Sequence, residues 1–400
     1  VARFHLCWEL GGGLGHAGRL KLLAAALLAR GHEVSVSLRD VAQAQGMFAG
    51  LNTPVLQAPL WLHEVVGLPP DHGNHAEILM AAGYWQPAPL AGLVDAWRGM
   101  FSLLRPDVVV ADYAPTAILA ARSMGVRSAS VGSAFSMPPA GQALPPLRGW
   151  ENIPPQRLAA AEAHVLQTAN AVLAHHQAPL FACAADLLAG DAQLLTTWPE
   201  LDHYERLPAP SAPVWLGPAF LPAGGAEPVW PAGDGPKVFA YLKAAHASHA
   251  DVLRALAQEG CRVLCYLPEV ASGKTPPVSA PNVSFARGPV ALQAALAEAQ
   301  LCVTHAGEAT LAQAMLAGVP VLMLPMQLEQ FHTARRIAGA GMGVNAAMLG
   351  QPVAWREVVR HMLGTPGYAA AAQAFAQRAR GYQVDAMAAR VAGLLEDIAA

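Results

Sequence analysis

The sequence predicts an α/β chain built from two parallel-sheet domains. Short apolar runs of strand length alternate with Leu- and Ala-rich runs of helix length in both halves. A glycine turn, Gly11-Gly12-Gly13-Leu14-Gly15, joins the first strand to the first helix. Between the halves, residues 207–236 carry Pro208, Pro210, Pro213, Pro218, Pro222, Pro228, Pro231 and Pro236. Such a stretch continues neither a helix nor a central strand and reads as a linker.

In the first half, residues 3–10 form a strand, 17–30 a helix stopped by Gly31, and 33–38 the next strand. The same βαβ order returns with strand 107–111, helix 115–124 and strand 128–131, which implies a parallel sheet. Residues 54–100 hold Trp61, Tyr84, Trp85 and Trp97 among many Pro and Gly. They read as irregular or short-helical structure with exposed aromatic surface. Segment 137–157 is a second Pro-rich excursion. In the second half the expected strands are 237–242, 262–267, 301–304 and 319–324. The expected helices are 248–259, 290–299, 310–317, 330–338, 355–363, 369–380 and 384–399.

A chain of 400 residues exceeds one ordinary core and suffices for two. Its 54% hydrophobic and 13% charged residues exclude a disordered chain. A net charge of −3 gives no broad footprint for nucleic acid, so no nucleic-acid partner is expected. Apolar stretches such as 22–29 and 316–326 are too short, or too cut by Gly and Pro, to span a bilayer, and membrane contact is at most peripheral. The five cysteines are odd in number and scattered; Cys7, Cys261, Cys265 and Cys302 sit in apolar runs. Neither a disulfide framework nor a zinc site is expected. With a strand rather than a leader at residue 3, a cytoplasmic location is the expectation.

Ligands of open parallel sheets bind outside the carboxyl ends of the strands, and two turns stand out there. In the first, His16 follows the glycines at the start of a helix, where an imidazole can serve as a base. In the second, a strand ends in His305, the small residues Ala306 and Gly307 turn, and Thr310 opens a helix. A helix N-terminus beside a hydroxyl and an imidazole suits an anion. Asp112, before the Pro115 helix, serves equally well as a cap or as a partner for a base.

Thr304-His305-Ala306-Gly307 through Thr310, Gly318-Val319-Pro320, Pro325 and Glu329-Gln330 resemble the donor-binding signature of family 1 glycosyltransferases of the GT-B fold. The Gly11–His16 turn, the 106–112 segment and Leu216-Gly217-Pro218 are similar to further segments of that family, in the same order. The resemblance implies two Rossmann-like domains with parallel sheets facing across a cleft. Residues 1–206 would bind the acceptor and 237–383 the nucleotide sugar, with 207–236 as linker and 384–400 a helix crossing back to the first domain. It implies an inverting transferase that uses a UDP- or TDP-sugar as co-substrate and a small or lipid-like acceptor, with no metal and no cofactor. His16 would be the general base and Asp112 its orienting partner. Donor contacts would come from Gly13, Gly15, Lys243, Arg287, Val290, His305, Ala306, Gly307, Glu308, Ala309, Thr310, Gln313, Glu329 and Gln330. Trp61, Trp85 and Phe135 are the candidates for acceptor contact.

The sequence departs from the family pattern at several points. Ala306 and Ala309 replace glycines, Gln313 stands where a glutamate grips the ribose, and Glu308 sets a carboxylate beside the expected phosphate site. The first strand of the second domain ends Tyr241-Leu242-Lys243-Ala244 rather than in Gly-Ser, and Lys243 offers a charge instead. Arg19 is similar to nucleotide-sugar hydrolases and cell-envelope sugar transferases of the same fold. The alternatives are therefore a hydrolase or epimerase, or an inactive nucleotide-sugar-binding protein.

Overall fold

The apolar runs of the first half become a seven-stranded, all-parallel sheet: β1 (Arg3–Trp8), β2 (Glu33–Leu38), β3 (Val55–Gln57), β4 (Val108–Asp112), β5 (Arg127–Gly132), β6 (Ala192–Leu195) and β7 (Val214–Trp215). Those of the second half form a six-stranded parallel sheet: β8 (Lys237–Tyr241), β9 (Arg262–Tyr266), β10 (Val283–Phe285), β11 (Leu301–Thr304), β12 (Val321–Met323) and β13 (Gly343–Asn345). The computed structural model describes residues 1–206, 214–221, 224–243 and 246–400. They divide into a first unit, Val1–Leu221 with Gln383–Ala400, and a second, Pro222–Tyr382.

The helices of the first unit are α1 (Gly15–Ala29), α2 (Val41–Ala44), α3 (His75–Ala81), α4 (Pro87–Leu104), α5 (Pro115–Ser123) and α6 (Pro155–His175). Those of the second are α7 (His249–Gln258), α8 (Pro268–Ala271), α9 (Leu292–Glu298), α10 (Glu308–Ala317), α11 (Leu328–Gly339), α12 (Trp355–Gly364) and α13 (Pro366–Arg378). The last helix, α14 (Val384–Ala399), returns to the first unit. There Glu396 pairs with Arg30 and, at 2.6 Å, with His32, while Leu395 and Val391 are fully buried.

Sheet order decides where a site can form. In the first unit it is β3-β2-β1-β4-β5-β6-β7, so the chain leaves β1 in one direction and returns through β4 on its other side. In the second it is β10-β9-β8-β11-β12-β13, with the same reversal between β8 and β11. Connections leave such a pair of strands in opposite directions and open a crevice at their carboxyl ends.

Three expectations are corrected. Segment 54–100, expected irregular or short-helical with its aromatics exposed, does contain the short α3, but it also holds the 18-residue α4, and Tyr84 and Trp97 are fully buried, although Trp85 remains 37% exposed. Pro87 is the cause of the misreading, since proline fits the first turn of a helix, where its missing N–H costs nothing. Inside the expected linker, β7 pairs with β6 at the sheet edge, a position compatible with nearby prolines. The rest of that expectation falls partly on 207–213 and 222–223, outside the described residues, as does Ala244. Finally, α10 opens at Glu308 and not at Thr310.

Candidate active site

In the first unit the reversal between β1 and β4 brings His16 and Asp112 together. His16 lies in the first turn of α1 and Asp112 ends β4. Their side chains meet at 2.8 Å through Nδ1 and Oδ1. Asp112 is fully buried, and its other oxygen accepts from Arg19 at 2.6 Å, one turn further along α1. Burial alone would push the carboxyl up; the charges of Arg19 and His16 outweigh it and hold Asp112 below the usual carboxylate range. An ionised Asp112 accepts only, so His16 donates from Nδ1 and its neutral ring carries the lone pair on Nε2.

Close backbone approach makes room for this pair. A Cβ on Gly11, whose φ is +77°, would stand 2.7 Å from His16 Nε2. A Cβ on Gly132, at the end of β5, would stand 3.3 Å from Asp112 Oδ1 and 2.7 Å from Ser136 Oγ. Trp8 stacks on the His16 ring at 5.3 Å and is itself tied by its Nε1–H to the Leu10 carbonyl. A ring held on one face by indole and at Nδ1 by carboxylate presents Nε2 in a fixed direction.

Of the acceptor-side candidates, Phe135 lies beside this pair's neighbourhood. It is 5.0 Å from the His75 ring, 6.3 Å from Tyr113, which follows Asp112, and 5.9 Å from His203. Trp61 instead packs against His63 and Gly83, and Trp85 against His164 on α6. His75 is the first residue of α3: Asn74 accepts from Glu77 N to cap that helix, and both Asn74 and His75 are fully buried. Gly13 and Gly15 are exposed at the mouth of α1.

In the second unit the reversal between β8 and β11 gathers Lys243, His305 and α10. Helix α10 starts after Gly307 with no side chain capping its N-terminus, and Thr310 is buried in its first turn. An uncapped start of this kind leaves N–H groups for an anion. Ala306 makes the turn with φ +63°, a left-handed conformation that costs an ordinary residue about 1–2 kcal/mol. The His305 ring is committed inward: Nδ1 donates to the Leu324 carbonyl at 2.7 Å, and Nε2 accepts from Lys243 N at 2.9 Å. It therefore ties the β8 and β11 ends together.

The remaining donor candidates divide. Gln313 donates to the Ala309 carbonyl within α10. Gln330 accepts from Met326 N at the start of α11, and Glu329 occupies the same first turn. Glu308 and Ala309 begin α10 beside the turn. Arg287 is exposed after the edge strand β10, while Val290 is buried and bridges Ala226. The sheet order thus places Arg287 and Val290 on the connection from β10, not on the ends of β8 and β11.

Sequence reasoning missed the Arg19–Asp112 pair, the Trp8 stack, Gly132, and two histidines beside His305, namely His246 and His249. The last two carried a signal, since they follow the end of β8 within one helical turn of each other.

Comparison with known proteins agrees with this architecture. Residues 281–354 match the model of the glycosyltransferase family 28 C-terminal domain. No curated protein sequence matches the chain. Among solved structures, the glycotransferase of kitacinnamycin is 19% identical with a TM-score of 0.70, covering 100% of this chain and 99% of that one. The spinosyn rhamnosyltransferase SpnG complexed with thymidine diphosphate is 20% identical with a TM-score of 0.64, covering 98% and 100%. The glycosyltransferase SnogD from Streptomyces nogalater is 21% identical with a TM-score of 0.62, covering 99% of each chain. The fold is the GT-B fold of these proteins.

Proposed function

We propose that this GT-B-fold chain is a glycosyltransferase. It moves a sugar from a thymidine or uridine diphosphate to a hydroxyl or other nucleophile on a small or lipid-like acceptor. The observation that carries the reading is the His16–Asp112 contact at 2.8 Å, a base with a fixed tautomer at the switch point of its sheet. The uncapped start of α10, at the switch point of the other sheet, suits the diphosphate. SpnG, of the same fold, was solved with thymidine diphosphate and also with spinosyn aglycone, and this favours a donor and acceptor of those classes.

In the proposed step His16 Nε2 takes the acceptor proton as the acceptor atom forms its bond to the anomeric carbon. The bond from that carbon to the diphosphate oxygen breaks, and its electron pair leaves with the nucleotide. Attack from the face opposite the leaving group inverts the anomeric centre. Asp112 stabilises the imidazolium, as a buried carboxylate on Nδ1–H does in hydrolytic triads. The N–H groups of α10 meet the charge growing on the diphosphate, so the reading needs no metal.

The test is turnover of TDP- and UDP-sugars with and without a panel of apolar and aromatic alcohols. Nucleotide release that depends on acceptor, with a glycosylated product, is expected. Equal release of free sugar with and without acceptor would instead favour the hydrolase, and no turnover under either condition contradicts the proposal.

A further inference from the structure

Three imidazoles meet at the β8–β11 crevice. His249, the first residue of α7, approaches His305 Nε2 through its own Nε2 at 3.2 Å. His246 stacks on His249 at 5.5 Å and lies 5.8 Å from His305; the His249 and His305 ring centres are 5.1 Å apart. Both His249 and His305 are buried. Among the described residues no group of His, Cys, Asp or Glu is placed to hold a metal ion, so the rings are not arranged as ligands.

The hydrogen bonds determine which nitrogens carry protons. The Leu324 carbonyl can only accept, so His305 Nδ1 is protonated and its Nε2 is an acceptor. Nε2 receives the Lys243 backbone N–H and, from the other side, the Nε2–H of His249. Neutral His249 therefore keeps its proton on Nε2, and any further proton enters at Nδ1. His246 Nδ1 accepts from Ser248 N at 3.2 Å, which places the proton of that neutral ring on its Nε2.

We propose that His249 and His246 are donor-binding residues, and that the cluster takes up a proton from solvent when a nucleotide pyrophosphate binds. The proposal rests on reading the second unit as the donor unit. A pyrophosphate diester carries two negative charges, whereas the neutral cluster offers one fixed cation in Lys243. Protonation at His249 Nδ1 supplies the second charge and adds an N–H donor.

The charged groups around His249 set the direction. Burial first, then His305 and His246, push it down to about 4, against a smaller upward pull from Glu269 of α8. His305 is also lowered, chiefly by burial, with His246 and Lys243 contributing. On α7 itself, Asp251 and Arg254 pair at 2.7 Å. Arg356 and Arg360 of α12, the helix packed on α7, are held on Glu259 at the far end. The unliganded cluster is thus neutral at neutral pH, and an anion beside it raises its affinity for a proton.

The experiment is titration calorimetry of the full chain with TDP, from pH 6 to 8, in two buffers of different ionisation enthalpy. Wild type and His249→Gln are compared, because ionisation of the TDP terminal phosphate is common to both and cancels in the difference. Net proton uptake by wild type, lost in His249→Gln together with roughly tenfold or more of the affinity near pH 6.5, is expected. His246→Gln should weaken binding in the same direction. Binding by both proteins with identical affinity and proton count overturns the proposal alone. Failure of wild type to bind TDP or UDP overturns the donor reading beneath it. Should His249→Gln not fold, the wild-type affinity decides: no weakening between pH 6.5 and pH 8, beyond that expected for TDP's own ionisation, overturns the proposal.

Discussion

At the scale of single residues, the decisive arrangement is a buried carboxylate shared by an imidazole and a guanidinium. Asp112 is fully buried and Arg19 nearly so, hence removing either partner strands a charge. Arg19→Met is expected to lower the free energy of unfolding by about 3–5 kcal/mol at pH 7, measured by urea denaturation. The sign with pH follows from the carboxyl being held low in the folded protein. The pair's contribution is complete above the unfolded value near 3.9 and is lost as pH falls through the folded one. The penalty of Arg19→Met should therefore hold level from pH 7 to about 4 and shrink only as pH falls below the unfolded value, and a penalty that stayed constant below it would mean that Arg19 acts by packing alone. The contact between His16 and Asp112 was anticipated through the family resemblance, since the residues alone left Asp112 equally a helix cap or a partner for a base. Arg19 on Asp112 was not legible, since the pairing depends on α1 lying over β4 and on Gly132 leaving room.

At the scale of elements, long segments with clean helical periodicity were readable, and α14 appears at the expected 384–399. Two helices that begin with proline were not, although α5, opened by Pro115, was: Pro87 opens α4 and Pro155 opens α6, and both prolines stand in Pro-rich segments where they read as breakers. Short strands escaped as well, β10 and β13 having three residues each. Helix α14 is fixed to the first unit through Val391 and Leu395 and the Glu396 ion pairs. Leu395→Ala should cost about 2–5 kcal/mol of stability, and a change below about 0.5 kcal/mol, the scale of surface substitutions, would mean that α14 is not docked as described.

At the scale of the whole molecule, both candidate sites fall where a parallel sheet reverses its winding, between β1 and β4 and between β8 and β11. Strand order was only partly readable from the sequence, because it depends on which strands pair; the glycine turns that mark the crevices were visible in it. One consequence concerns cations. In the proposed reading the diphosphate is held by N–H groups and imidazoles, and transfer should then proceed unchanged in EDTA. Loss of activity in the chelator, restored by magnesium or manganese, would show that these groups do not suffice.

The most direct test of the central claim is His16→Ala, with transfer and TDP affinity measured on the same protein. Loss of a general base should lower transfer by about a hundredfold or more, the usual scale of such catalysis, while TDP binds as tightly as to the unaltered chain. Full transfer without the imidazole, or equal loss of binding and transfer, would contradict the account.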